Sequence, residues 1–203
     1  MSDSFKTIKG FSRGVFRDRG SRFIADAWPA EDTERIRELL DKTRKEFHDA
    51  RHHCHAWVLG ADRTRWRVSD DGEPSGTAGK PILGQINSRE LTNILIIVTR
   101  YFGGTLLGTG GLINAYRRAA EDAINNAEII TRNVSCSRVL EFPYSSLNDV
   151  MKVIKEANLS HTGQEIDLIC RISVSWDIAE EAGIQKRLSR INGLKILNAG
   201  AVS

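Results

Sequence analysis

Two glycine-rich segments hold the residues best suited to ligand chemistry: 70–81, reading DDGEPSGTAGKP, and 99–111, reading TRYFGGTLLGTGG. Glycine clusters bring bare backbone N–H groups close to a partner, and such groups receive phosphate or carboxylate oxygens. The candidates for that role are Gly76, Thr77 and Lys80 in the first segment, and Arg100, Tyr101, Gly103, Gly104, Gly108, Gly110 and Gly111 in the second. Asp70, Asp71 and Glu73 offer a different chemistry. Clustered carboxylates either hold a hard divalent cation or order a turn by accepting backbone hydrogen bonds. No acid–base pair with a defined partner stands out, so no catalytic residue is assigned and no cofactor is implied.

Familiar phosphate motifs do not fit these segments. Gly79-Lys80 suggests a P-loop, but Pro74 stands where the motif needs its first glycine, and Pro81 stands where it needs the magnesium-binding hydroxyl. A dinucleotide fingerprint begun at Gly108 needs glycine at position 113, which is Ile113. His52-His53-Cys54-His55 suggests a metal or nucleophile cluster. Extended backbone sends His52 and Cys54 to one face and His53 and His55 to the other, too few on either side for a closed zinc site. Burial is the commoner role for such a cysteine. Arg51, Arg63, Arg65, Arg67, Arg100, Arg117 and Arg118, with Trp57, Trp66 and Tyr101, supply the residue types of a single-stranded RNA surface, if the fold assembles them.

The elements that must position these residues follow from periodicity. Strands are expected at 14–17 and 21–28, a helix at 31–49, and strands at 53–59 and 65–69. In that helix Ile36, Leu39, Leu40 and Phe47 share a stripe with Thr43, while Glu31, Asp32 and Glu34 put negative charge at its start. A short helix begins near Gly79, with Pro81 in its first turn and Ile82, Leu83 and Ile86 inward. The segment 93–99, with its continuous run of bulky apolar residues from Ile94 to Val98, predicts a central strand covered on both faces and ending at Arg100. A helix over 112–126 follows, with Leu112, Ala115, Tyr116, Ala119 and Ala123 on one stripe and its free N–H groups beside the glycines.

The pattern changes near 129–133, and the remainder reads as strand 134–142, helix 144–157, strands 158–165 and 166–176, helix 178–192 and strand 194–199. That βαββαβ order predicts a ferredoxin-like domain at 132–203 after an α+β domain at 1–131. The strict alternation from Ile166 to Trp176 offers aliphatic residues and one tryptophan, not the aromatic sheet of an RNA-recognition motif.

At 203 residues, 40% hydrophobic and 27% charged, the chain is long enough to bury a substantial core without staples. Cys54, Cys136 and Cys170 are odd in number and widely spaced, which points away from a disulfide framework. No apolar run nears the roughly 20 residues that cross a bilayer, and the start, MSDSFK, lacks the apolar stretch of a secretory signal. The expectation is a cytoplasmic protein without a membrane partner. A net charge of +3 permits a local basic face but falls short of the excess typical of proteins devoted to nucleic acid.

The segments DDGEPSGTAGKP and RYFGGTLLGTGGL, the latter followed by Ala115-Tyr116, resemble the signature of the YigZ/IMPACT family. Residues 21–24 (SRFI) and 49–54 (DARHHC) are similar to its bacterial two-domain members. The resemblance implies an N-terminal α+β domain similar to the second domain of a small-subunit ribosomal protein. It also implies a ferredoxin-like C-terminal domain similar to a terminal domain of elongation factor G. A translation-linked regulatory binding role is implied, with RNA, the ribosome or a translation factor as partner. Eukaryotic relatives compete for the activator of an initiation-factor kinase but carry a different second domain, so kinase regulation is not transferred. The fold class also hosts small-molecule kinases, which sustains an alternative: a phosphate- or nucleotide-binding enzyme or sensor using the glycine-rich cleft.

Overall fold

The computed structural model describes residues 3–198. The expected last residue of the final strand, 199, and the first two residues of the expected leaderless start lie outside them. The chain divides into two compact units, Met1–Arg132 and Asn133–Ser203.

The first unit runs β1 (Ser4–Ile8), β2 (Ser12–Asp18), β3 (Ser21–Pro29), α1 (Thr33–Glu46), β4 (His52–Leu59), β5 (Arg65–Ser69), α2 (Gly79–Ser88), β6 (Ile94–Tyr101), α3 (Gly108–Asn125) and β7 (Ile129–Asn133). Five strands form an antiparallel sheet in the order β2-β3-β6-β4-β5, so β6 sits at its centre and β5 at an edge. Strand alternation sorts the side chains into two layers. Phe23, Ala25, Cys54, Ala56, Ile96 and Val98 pack with Ile82 and Ile86 of α2 and Ala115, Tyr116 and Ala119 of α3. On the opposite face Leu59, Leu95 and Ile97 pack with Ile36 and Leu39 of α1. With both faces covered, β6 is buried from Ile94 to Arg100, as its unbroken apolar run requires.

Helix α1 is shorter than the periodic stripe suggests because Asp32 is its cap, accepting the Arg35 N–H at 2.7 Å. Helix α3 differs in the other direction and begins at Gly108 rather than 112. Glycine disfavours helix by up to about 1 kcal/mol, but Leu107 and Leu112 anchor this end on the core and carry the glycines into the first turn. Strands β1 and β7 pair as a separate two-stranded sheet that periodicity did not reveal.

The second unit runs β8 (Ser135–Pro143), α4 (Leu147–Glu156), β9 (Ser160–Glu165), β10 (Ile169–Asp177), α5 (Glu181–Leu188) and β11 (Lys195–Asn198). Its antiparallel sheet has the order β11-β8-β10-β9. Leu140, Phe142, Cys170, Ile172 and Trp176 of the sheet pack with Val150 and Ile154 of α4 and Ile184 and Leu188 of α5. The alternation read from Ile166 is cut short: Ile166 and Leu168 belong to the hairpin turn before β10 and are 54% and 85% exposed.

Candidate functional site

The three acids of the first segment all turn inward. Asp70, just past β5, accepts N–H groups from Gly76 at 2.8 Å, Ala78 at 3.0 Å and Gly79 at 2.8 Å, and so caps α2, whose own cap residue, Ala78, has no side chain for the task. Burial alone would raise the Asp70 pKa, but the three donors together outweigh it and hold the carboxyl below its usual range. Asp71 accepts the His53 N–H at 2.6 Å and pairs with Arg44 at 3.6 Å, while its carbonyl meets His52 Nδ1 at 2.8 Å. Thr77 bonds the Pro74 carbonyl through its hydroxyl at 2.7 Å, and Lys80 is exposed. Of the two roles open to these acids, the geometry builds loop ordering. Among the described residues no group of three or more His, Cys, Asp or Glu side chains converges for a metal ion.

Glu73 and Arg100 form a buried ion pair beneath this loop. Arg100 Nη1 donates to Glu73 Oε1 at 2.6 Å, and the two side chains are only 8% and 4% exposed. Tyr116 donates its hydroxyl to the same oxygen at 2.8 Å, and its ring stands edge-on to Phe23 at 5.1 Å. The Cys54 thiol lies 2.9 Å from the Asp70 carbonyl and 3.3 Å from the Tyr116 hydroxyl. Burial pushes that thiol up to about 12, which removes it as a nucleophile at neutral pH. One network therefore ties β4, β6, α3 and the first segment together.

Arg100 was expected to receive a partner's phosphate or carboxylate; it is instead buried and engaged with Glu73, so its role is positional. Tyr101 parts from it because neighbouring strand residues face opposite ways, and its hydroxyl bonds Asp49 at 2.7 Å, near the end of α1.

The second segment is open to solvent. Gly103 packs so closely on the β2–β3 turn that an added Cβ would stand 1.9 Å from the carbonyl carbon of Gly20. Beyond it Gly104, at φ +85°, has no neighbour within 4 Å of a Cβ, and Phe102 and Leu106 are 56% and 82% exposed. Gly108, Gly110 and Gly111, expected ahead of the helix, form the first turn of α3 itself. Their amides still belong to the helix start that lacks intrahelical acceptors, and no side chain caps it.

The contact of Gly103 with Gly20 brings in residues the sequence did not mark. Arg17, Arg19 and Arg22 of the adjoining turn line a hollow of about 420 Å³ with Asp18, and none of the three arginines has an ion-pair partner among the described residues. Their signal is the RDRGSR run itself, whose neighbour in space lies some eighty residues on and leaves no local pattern. The proposed RNA surface is not assembled as a whole: Arg100 is buried, Arg63 bonds Asn87, and Arg117 and Arg118 lie on α3, whereas Arg67 pairs across the strands with Trp57.

Residues 19–124 match the Impact N-terminal domain. The chain is 33% identical over 171 residues to the IMPACT family member YigZ of Escherichia coli, spanning 83% of this chain and 84% of that protein. It is 32% identical to the IMPACT family member YvyE of Bacillus subtilis, over 77% of this chain and 72% of the relative. A crystal structure of a hypothetical protein aligns with it over 100% of both chains at 29% identity and a TM-score of 0.81. No described helix is long and apolar enough to cross a membrane. With more than half its length matched by the family domain and most of it aligned to YigZ, the chain belongs to the IMPACT family.

Proposed function

We propose that this chain is a translation-linked regulatory binding protein that contacts RNA, the ribosome or a translation factor. The contact surface is the exposed loop 102–107 with the first turn of α3 and the arginine turn 17–22. One observation carries this reading: the Gly103–Gly20 contact sets the exposed residues 104–106 beside three arginines that have no ion-pair partner among the described residues, a surface suited to phosphate-rich partners. Membership of the IMPACT family supports it, as does the strand order β11-β8-β10-β9, which we read as ferredoxin-like and similar to a domain of elongation factor G.

The test is co-sedimentation with ribosomal subunits across a salt series. Wild-type binding weakens steeply with salt, and an Arg17→Ala/Arg19→Ala variant binds less tightly with a shallower slope. Gly104→Glu, which puts a carboxylate on the same surface without a clash, abolishes binding. Absence of binding at low salt, or variants that sediment like the wild type, would overturn the assignment. The alternative, a phosphate- or nucleotide-binding enzyme or sensor, draws on the same uncapped helix start and predicts a rise in Tm with nucleotide and magnesium.

A further inference from the structure

A groove of about 390 Å³ lies between α1 and the outer strands β4 and β5, on the sheet face opposite α2 and α3. Its walls carry Arg37 and Arg44 from α1, Arg67 from β5, and His55 and Trp57 from β4. The guanidinium groups of Arg37 and Arg67 have no hydrogen-bond or ion-pair partner among the described residues, and that of Arg44 has only the 3.6 Å pair with Asp71. Three guanidinium groups thus converge with little to neutralise them.

His55 adds a second, independent feature. It is 8% exposed, and its Nδ1 lies 3.3 Å from the His53 carbonyl. A carbonyl only accepts, so Nδ1 carries the proton and Nε2 keeps a lone pair with no donor among the described residues. Burial lowers the pKa of this imidazole, which keeps it neutral at pH 7 despite the nearby Asp71, while Arg44 and Arg67 push the same way as burial. The groove therefore combines cationic donors, one neutral acceptor and the half-buried indole of Trp57.

We infer that this groove binds a nucleotide, with phosphate on Arg37, Arg44 and Arg67, the base against Trp57, and a ribose hydroxyl or exocyclic amine donating to His55 Nε2. An acidic peptide satisfies the guanidinium groups but sets a carboxylate against a lone pair and leaves the indole without a flat partner. The volume suits one nucleotide, and the same chemistry is met by a free mononucleotide or by one unit of single-stranded RNA. This site is separate from the glycine surface and stands or falls without it.

The experiment is fluorescence anisotropy with a labelled oligoadenylate of ten residues, competed by unlabelled AMP, on the full chain. The oligomer binds, and Arg37→Ala and Arg67→Ala each weaken it about tenfold and lower the salt slope by about 0.7. Trp57→Phe retains most of the affinity but removes the quenching of tryptophan emission on binding. The same variants are measured in a Gly104→Glu background, which disables the other surface, so that the losses on Arg37→Ala and Arg67→Ala are read at the groove alone. Full competition by AMP identifies the free nucleotide as source; oligomer binding that AMP does not displace identifies the strand. The inference is overturned by absence of binding at low salt, by an Arg37→Ala/Arg67→Ala variant that binds like the wild type, or by polyglutamate competing as well as the oligomer.

Discussion

In the first glycine segment the carboxylates of Asp70, Asp71 and Glu73 are all consumed inside the molecule, whereas in the second the backbone from 102 to 110 lies largely open and its glycines face solvent or a single neighbouring turn. Similar composition serves opposite ends. The first segment builds: it caps α2, anchors β4 and neutralises Arg100. The second presents: once Gly103 is fixed against Gly20, residues 104–106 lie exposed until Leu107 returns the chain to the core. A motif rich in glycine and charge is therefore not a site by composition alone; what matters is whether its polar groups already have partners.

The sharpest way to break this contrast is to remove Glu73. Glu73→Ala leaves the Arg100 guanidinium buried without its counter-ion, and urea unfolding should register a loss of about 3–5 kcal/mol. A Glu73→Leu/Arg100→Met double variant recovers much of that loss, because both charges leave together. If Glu73→Ala unfolds like the wild type, the first segment is not the builder described here.

Next in size is Gly103→Ala, which forces the loop off the β2–β3 turn and costs about 1–3 kcal/mol. Its companion Gly104→Ala meets no atom and pays only the left-handed backbone strain of about 1 kcal/mol. Equal midpoints for the two would erase the division between anchor and display within the second segment.

The smallest effect is pH-dependent. The Asp70 pKa is lowered in the folded chain below its ordinary 3.8, so its contribution is fully present above that value and is lost as pH falls through the lower folded value. Asp70→Ala is less stable by about 1 kcal/mol at pH 7 and shows a shallower loss of stability in acid. An unchanged acid limb would mean that Asp70 does not cap α2.

Much of this layout was legible in the chain, for reasons that have limits. The apolar residues 94–98 announced a central strand because burial on both faces favours apolar side chains at successive positions, and the βαββαβ order of the second unit followed from alternation and helical stripes. The parting of Arg100 from Tyr101 was implicit in the same alternation. What could not be read was pairing at a distance: Glu73 meets Arg100 across 27 residues and Tyr116 across 43, and no local pattern encodes that meeting. The groove of Arg37, Arg44 and Arg67 was hidden likewise, since arginines on a helix read as solvated until a strand edge arrives beside them. The early start of α3 was lost because propensity penalises glycine, while the packing of Leu107 and Leu112 overrides it.

Cys54 has a consequence of its own. A thiol held at a pKa of about 12 and wedged between the Asp70 carbonyl and the Tyr116 hydroxyl is chemically silent while the fold is closed. Alkylating reagents reach it only in molecules that have momentarily let go of the whole β4–α3 seam. The chain thus carries an internal clock: the rate at which Cys54 is modified counts how often that seam opens, and any partner that clamps the seam should slow the count.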